Sequence, residues 1–187
     1  ALSPVRKILR ITAAGVHSMN IIITGSPRSG KTTLLQKVIA RGERRKGFLT
    51  AEVREDGERT GFELQTSEGA TMMLASIHID SAIRVSRYGV NVDAVESLLP
   101  KLMDFDDELL YIDEIGQMEL HAAGFPDLVR KYLDAPNHCI ATLSQVCDHP
   151  FIHEVRSRDD VRIFELTPED REDVYQHILK LSGIFQP

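Results

Sequence analysis

Gly25, Ser26, Pro27, Arg28, Ser29, Gly30, Lys31 and Thr32 follow the spacing G-x-x-x-x-G-K-[ST], and Thr33 comes directly after them. A run of this kind suits a phosphate chain. Glycines let the backbone fold back on itself, so that successive N–H groups converge where phosphate oxygens would sit. The lysine sets a point charge on the β- and γ-phosphates, and the hydroxyl after it is a magnesium ligand. The sequence therefore assigns nucleotide contact to Gly25, Ser26, Pro27, Arg28, Ser29, Gly30, Lys31, Thr32 and Thr33. Lys31 is also expected to act in catalysis, and Thr32 to hold the metal.

A second set of chemical groups lies at Leu109-Leu110-Tyr111-Ile112-Asp113-Glu114. Buried parallel strands deliver their carboxyl ends to the ligand crevice, so an apolar run ending in two acids places both beside the phosphate loop. Asp113 suits magnesium, directly or through water. Glu114 is then placed to orient and deprotonate a water that attacks the γ-phosphorus. Thr142 ends another apolar run, 139–143. Two readings of it stand side by side: a contact to the γ-phosphate or attacking water, or a β-branched strand residue.

Three arginines form the last set. Asp56-Gly57 between alternating segments is a strong hairpin signal, and a two-residue turn there sets Arg54 opposite Arg59 and Glu55 opposite Glu58. Like charges directly opposite are unfavourable unless something neutralises them. One account is a surface lattice with Glu52 and Glu63, which strict alternation puts on the same face. The other is an arginine pair awaiting an anion, with one guanidinium stabilising charge during phosphoryl transfer. Arg87 is a further candidate for that task.

The elements that must position these groups follow from the apolar periodicity. A strand over 20–24, the Gly-rich turn and a helix over 31–41 make the first unit. Residues 47–55 and 58–67 read as an antiparallel hairpin, with a further strand over 70–76. The segment 84–92 leads into a helix over 93–103 that Pro100 would interrupt. Strands over 109–112, 139–143 and 161–166 then alternate with helices over 125–133, 150–155 and 168–181. The pattern predicts an α/β fold with a mainly parallel central sheet, flanking helices and an antiparallel β-hairpin insertion. One domain over 19–187 is expected, preceded by an acid-free extension over 1–18.

Composition narrows the partners. The 187 residues carry 22 Lys and Arg against 28 Asp and Glu, a net charge of −6, which disfavours a general nucleic-acid binder. No stretch approaches the ~18 apolar residues of a membrane helix. Cys139 and Cys147 lack a CxxC partner and suit a reducing cytoplasm. A monomer is favoured. Cys147, His149 and His153 have a zinc-like spacing but lack a fourth ligand, so a surface helix is the better reading.

The segments GSPRSGKTTL, GFLTAEVREDGERTGFEL, RYGVNVDAVE, YIDEIGQMEL, IATLSQ and DVRIFELTPEDRED together resemble the nucleoside-triphosphatase family of thermophilic NTP phosphohydrolases and the human cancer-related nucleoside-triphosphatase. The resemblance runs from about Met19 to the last helix. It implies slow, magnesium-dependent hydrolysis of ATP, GTP and other nucleoside triphosphates to diphosphate and phosphate. This chain departs from the family pattern at Arg28, where glycine is typical, at Gln117, where lysine is common, and at Asp170, where asparagine is usual. An NKxD guanine-reading motif is absent, so base selectivity is expected to be loose. Two alternatives share the same loop: a nucleotide or nucleoside kinase using 47–87 as a lid, and a nucleotide-dependent switch with a protein or RNA partner.

Overall fold

The computed structural model describes residues 10–11 and 17–182. Most of the predicted extension lies outside the described residues. Its described parts are β1 (Arg10–Ile11) and β2 (His17–Ser18), which pair antiparallel. The remaining elements are β3 (Asn20–Thr24), α1 (Lys31–Ile39), β4 (Arg45–Glu55), β5 (Glu58–Thr66), β6 (Thr71–Ser76), β7 (Arg84–Val85) and β8 (Tyr88–Val90). They continue with α2 (Val92–Leu102), β9 (Leu109–Ile115), a 3-10 turn (Glu119–His121), α3 (Phe125–Asp134), β10 (Cys139–Leu143), α4 (Pro150–Arg156), β11 (Val161–Glu165) and α5 (Arg171–Ser182).

Nine of the strands form one sheet in the order β11-β3-β10-β9-β4-β5-β6-β8-β7. From β11 to β4 the pairs are parallel, and from β4 to β7 they are antiparallel. The strand β4 belongs to both halves: Arg45 to Phe48 pair with Leu109 to Ile112 of β9, and Phe48 to Glu55 pair with β5. The hairpin insertion is thus a continuation of the central sheet.

Every residue of β3 and β10 is buried, as expected of parallel strands covered on both faces. Alternation divides their side chains between two cores. Ile21 and Ile23 meet Leu34, Leu35 and Val38 of α1 and Ile178 of α5, whereas Ile22 faces Phe125, Leu128 and Tyr132 of α3. Each fully buried side chain of this size contributes ~1.5–3 kcal/mol, so helices on both faces fix the pitch of β3 and the exit of the loop after it. Asn20 ties the start of that strand by donating to Leu133 O at 2.8 Å.

Two expectations need correction, those for Pro100 and for the end of β9. The helix α2 runs through Pro100 unbroken, because Ala94, Val95, Leu98, Leu99 and Leu102 are buried while Pro100 lies on the solvent side of the last turn. Packing of that face outweighs the lost backbone hydrogen bond. The segment 84–92 does lead into α2, by way of two short strands turning at Ser86, which has φ 54°. The strand β9 extends to Ile115, so Asp113 and Glu114 lie within it and not beyond its end.

Candidate active site

Strand β3 delivers the chain to a loop whose glycines are sterically required. Gly25 has φ 148° and Gly30 has φ 99°, and a Cβ on Gly25 would stand 2.5 Å from Leu166 O. Arg28 adopts φ 68°, the left-handed conformation that favours glycine. The loop keeps that geometry and carries a guanidinium, at a cost of about 1 kcal/mol or more. Lys31 Nζ donates to Gly25 O at 3.0 Å and Ser26 O at 3.2 Å, so the ammonium is already curled over the loop. Ser29 Oγ is buried there with no hydrogen-bond partner among the described residues.

The start of α1 and the middle of β9 meet at one carboxylate. Thr32 Oγ1 donates to Asp113 Oδ2 at 2.8 Å, and Thr142 Oγ1 donates to Asp113 Oδ1 at 2.5 Å. Thr50 adds its N–H to Oδ2 at 3.5 Å and its hydroxyl to the Asp113 carbonyl. Asp113 is 2% exposed, and burial pushes its pKa up against these donors and the Lys31 charge. A buried carboxylate ringed by hydroxyls beside a lysine is an oxygen donor set that fits a hard divalent cation. Thr142 serves that carboxylate. Thr50 was not singled out by the sequence; only the pairing of β4 with β9 brings it there.

Two more acids stand further along the same segment. Glu114 is partly exposed in the cleft; burial raises its pKa, the Lys31 charge lowers it, and Asp113 raises it again. Glu119 is 4% exposed, and burial together with the Glu114 charge lifts its pKa to about 8. Gly116 makes room for both: a Cβ there would lie 3.1 Å from Glu119 Oε2 and 3.4 Å from Glu114 Oε2. Sequence reading missed Glu119, although it is the third acid of YIDEIGQMEL.

The hairpin register sets Arg54 opposite Arg59 and Glu55 opposite Glu58. A bulge then breaks the alternation, so Glu52 faces Phe62 and Glu63 faces Ala51. Glu63 is therefore on the other face, where it accepts from Gln65 at 2.7 Å, and the predicted lattice lacks it. Glu52 alone spans the pair, accepting from Arg54 Nη2 at 2.6 Å and Arg59 Nη1 at 2.8 Å. The two guanidinium groups hold its pKa below the ordinary range. Arg59 Nε donates to Tyr88 Oη at 3.1 Å, and Arg87 donates from Nε to the same oxygen at 3.4 Å and from Nη2 to Arg59 O at 2.5 Å.

These groups surround a cleft of about 1030 Å³. Pro27, Arg28, Gly30, Lys31, Thr32 and Thr33 line its loop side, while Gly25 and Ser29 are buried and Ser26 contributes its carbonyl to Lys31. Asp113, Glu114, Glu119 and Gln117 line the β9 side. Of the three hairpin and turn arginines, Arg59 reaches this cleft, whereas Arg54 and Arg87 line a smaller cavity next to it. Arg171 closes the opposite end, its Nε 3.0 Å from where a Cβ on Gly30 would be. Asp170 accepts from Thr167 N at 2.8 Å, a turn that delays the start of α5 to Arg171.

A nucleoside-triphosphatase THEP1 from Thermotoga sp. (strain RQ2) is 37% identical over 166 residues, covering 87% of this chain and 95% of that protein. The crystal structure of THEP1 from Aquifex aeolicus superposes with a TM-score of 0.78 at 39% identity, covering 87% of this chain and 98% of the other. The solution structure of a human cancer-related nucleoside triphosphatase gives 0.76 at 30% identity, covering 91% of this chain and 100% of the other. The profile of the NTPase family (NTPase_1) matches residues 20–179, and the chain belongs to that family.

Proposed function

We propose that the protein hydrolyses nucleoside triphosphates, ATP and GTP among them, to the diphosphate and phosphate. The observation that carries this reading is the meeting of Lys31, Thr32, Asp113 and Glu114 at one cleft, with Thr32 and Asp113 in hydrogen-bond contact. The loop N–H groups and Lys31 would hold the β- and γ-phosphates, and Thr32 and Asp113 would hold magnesium. Magnesium, when bound, neutralises charge on the phosphate oxygens. Glu114 takes a proton from a water whose oxygen bonds to the γ-phosphorus as the bond to the β–γ bridging oxygen breaks. The raised pKa of Glu114 brings its basicity nearer to what this transfer needs. Arg59 is the guanidinium placed to stabilise the charge on the transferring group, with Arg54 and Arg87 supporting it.

The relatives named nucleoside-triphosphatases support hydrolysis over kinase chemistry. The pairing of β4 with both β9 and β5 supports it too, since a kinase lid must swing and this hairpin is built into the sheet. Among the described residues no helix is long and apolar enough to cross a membrane. The free thiols Cys139 and Cys147 support a cytoplasmic site, and the shared central sheet supports one domain over 19–187. The deciding experiment incubates the protein with magnesium and each nucleoside triphosphate, with and without nucleosides and nucleoside monophosphates as acceptors. Phosphate released to water at a rate no acceptor changes is the expected result. Transfer to an acceptor would make it a kinase, and loss of binding in Lys31→Ala would tie either activity to the loop.

A further inference from the structure

Beside the main cleft lies a second cavity of about 280 Å³, lined by Arg28, Arg54, Gly57, Glu58, Arg59 and Arg87. Its walls come from three separate places in the chain: the phosphate loop, the hairpin turn and the β7–β8 turn. Four guanidinium groups meet there, with Glu58 in the wall and Glu52 bonded to Arg54 and Arg59. Two positive charges are left over. Among the described residues Arg87 is held by neutral acceptors alone, Arg59 O and Tyr88 Oη. Arg28 makes no hydrogen bond or ion pair among the described residues and stands in strained backbone at φ 68°. Bringing unpaired like charges to one cavity is unfavourable in the absence of an anion.

Arg28 and Arg59 line both cavities, so the two adjoin. Their order is set by the sheet. Arg171, beside β11, marks one end of the main cleft; Lys31 and Asp113 lie centrally; the hairpin beyond β9 and β4 marks the other. A triphosphate with its nucleoside toward Arg171 and its γ-phosphate at Lys31 and Glu114 would point onward at the arginine cavity.

We propose that this cavity is a subsite for a phosphate group one place beyond the γ-phosphate. The inference rests on the nucleotide reading of the loop. The ligand class is a phosphate monoester or anhydride terminus, reaching the subsite either as the fourth phosphate of a nucleoside 5′-tetraphosphate or as free orthophosphate bound next to a nucleotide. A fourth phosphate would stand where the attacking water approaches, so a tetraphosphate is bound tightly and turned over slowly.

The test is competition against a fluorescent ADP in the presence of magnesium. In the wild type, adenosine 5′-tetraphosphate should displace the probe at least tenfold more tightly than ATP, the scale of one charge-assisted hydrogen bond. In Arg28→Gly and Arg87→Ala the preference should fall to about twofold or less. Arg28→Gly relieves the left-handed strain as it removes the charge, so loss of folding does not confound it. A second arm titrates a non-hydrolysable ATP analogue, which fills the γ-phosphate place, with and without orthophosphate. Tighter binding of the analogue with orthophosphate, abolished in the same variants, identifies free phosphate as an occupant and supports the subsite even without a tetraphosphate preference. If ATP binds while neither arm shows an arginine-dependent effect, the subsite is overturned and the hydrolase reading stands. If ATP and ADP do not bind at all, the nucleotide reading fails and the subsite with it.

Discussion

Thr32 Oγ1 lies 2.8 Å from Asp113 Oδ2, although 81 residues separate them in the chain. A hydroxyl at the start of α1 and a carboxylate inside β9 are therefore held at one point by the sheet.

That pair predicts where metal dependence resides. Asp113→Asn and Thr32→Ala should each raise the magnesium concentration for half-maximal turnover by roughly tenfold or more, a scale typical of ligand-shell losses. Magnesium titration of turnover at saturating nucleotide checks it, and an unchanged titration in both variants places the metal elsewhere.

Glu114→Gln should retain nucleotide binding and lose ~10²–10⁴ in kcat, the usual loss of a general base. Wild-type turnover should rise with pH through the folded pKa of Glu114, which burial sets above its ordinary value of 4.5. The base must be ionised to accept a proton, so the acidic limb lies to the right of an exposed glutamate's. A pH–rate profile of the wild type and the residual rate of the variant measure both.

The three arginines should separate in single-turnover experiments. Arg59 lines the main cleft, so Arg59→Ala is expected to cost ~10²-fold in the chemical step. Arg54 and Arg87 do not, and their alanine variants should cost less than tenfold. Near-normal rates in all three, with unchanged melting temperatures, would leave the arginines as a surface lattice around Glu52.

Glu119 predicts a pH-dependent stability. Its folded pKa of about 8 lies above the ordinary 4.5, so between those values the native state holds a proton that the unfolded chain has lost. Stability from this group is full below the unfolded pKa and is lost as pH rises through the folded one. Asp113 and Glu114 are shifted the same way, so the comparison is with a variant. Glu119→Gln should gain on the wild type in melting temperature from pH 5 to pH 8, by about 1.4 kcal/mol for each pH unit between the unfolded and folded pKa. A constant difference over that range would mean that Glu119 is ionised in the native protein.

What the sequence disclosed was local. The phosphate loop, the Asp56-Gly57 turn and the acids of an apolar run are each set by a few neighbouring residues; the loop and the turn form where expected, while β9 runs on through both acids. Groups brought in by tertiary pairing were not legible. Thr50 meets Asp113 only through the β4–β9 register, and Glu119 meets Glu114 only because the chain turns at Gly116. One inserted residue at Thr60 sends Glu63 to the opposite face, since side chains alternate and a single slip reverses them all. Pro100 misled for a similar reason: propensity is local, whereas the burial that holds α2 together is not.

Strand β4 carries Thr50, which touches Asp113, and two residues further on Glu52, which grips Arg54 and Arg59. Side chains two apart on a strand share a face and are separated by about 7 Å. The Asp113 contact and the arginine clamp are thus mounted on one short stretch of strand, which pairs with β5 along its length. If magnesium sits at Asp113 and an anion at the arginines, occupancy at either end would bear on the other, and linkage would make the effect mutual. An anion that tightens the hairpin should raise magnesium affinity by the same factor that magnesium raises affinity for the anion. The strand that joins the two halves of the sheet would then also join two binding equilibria.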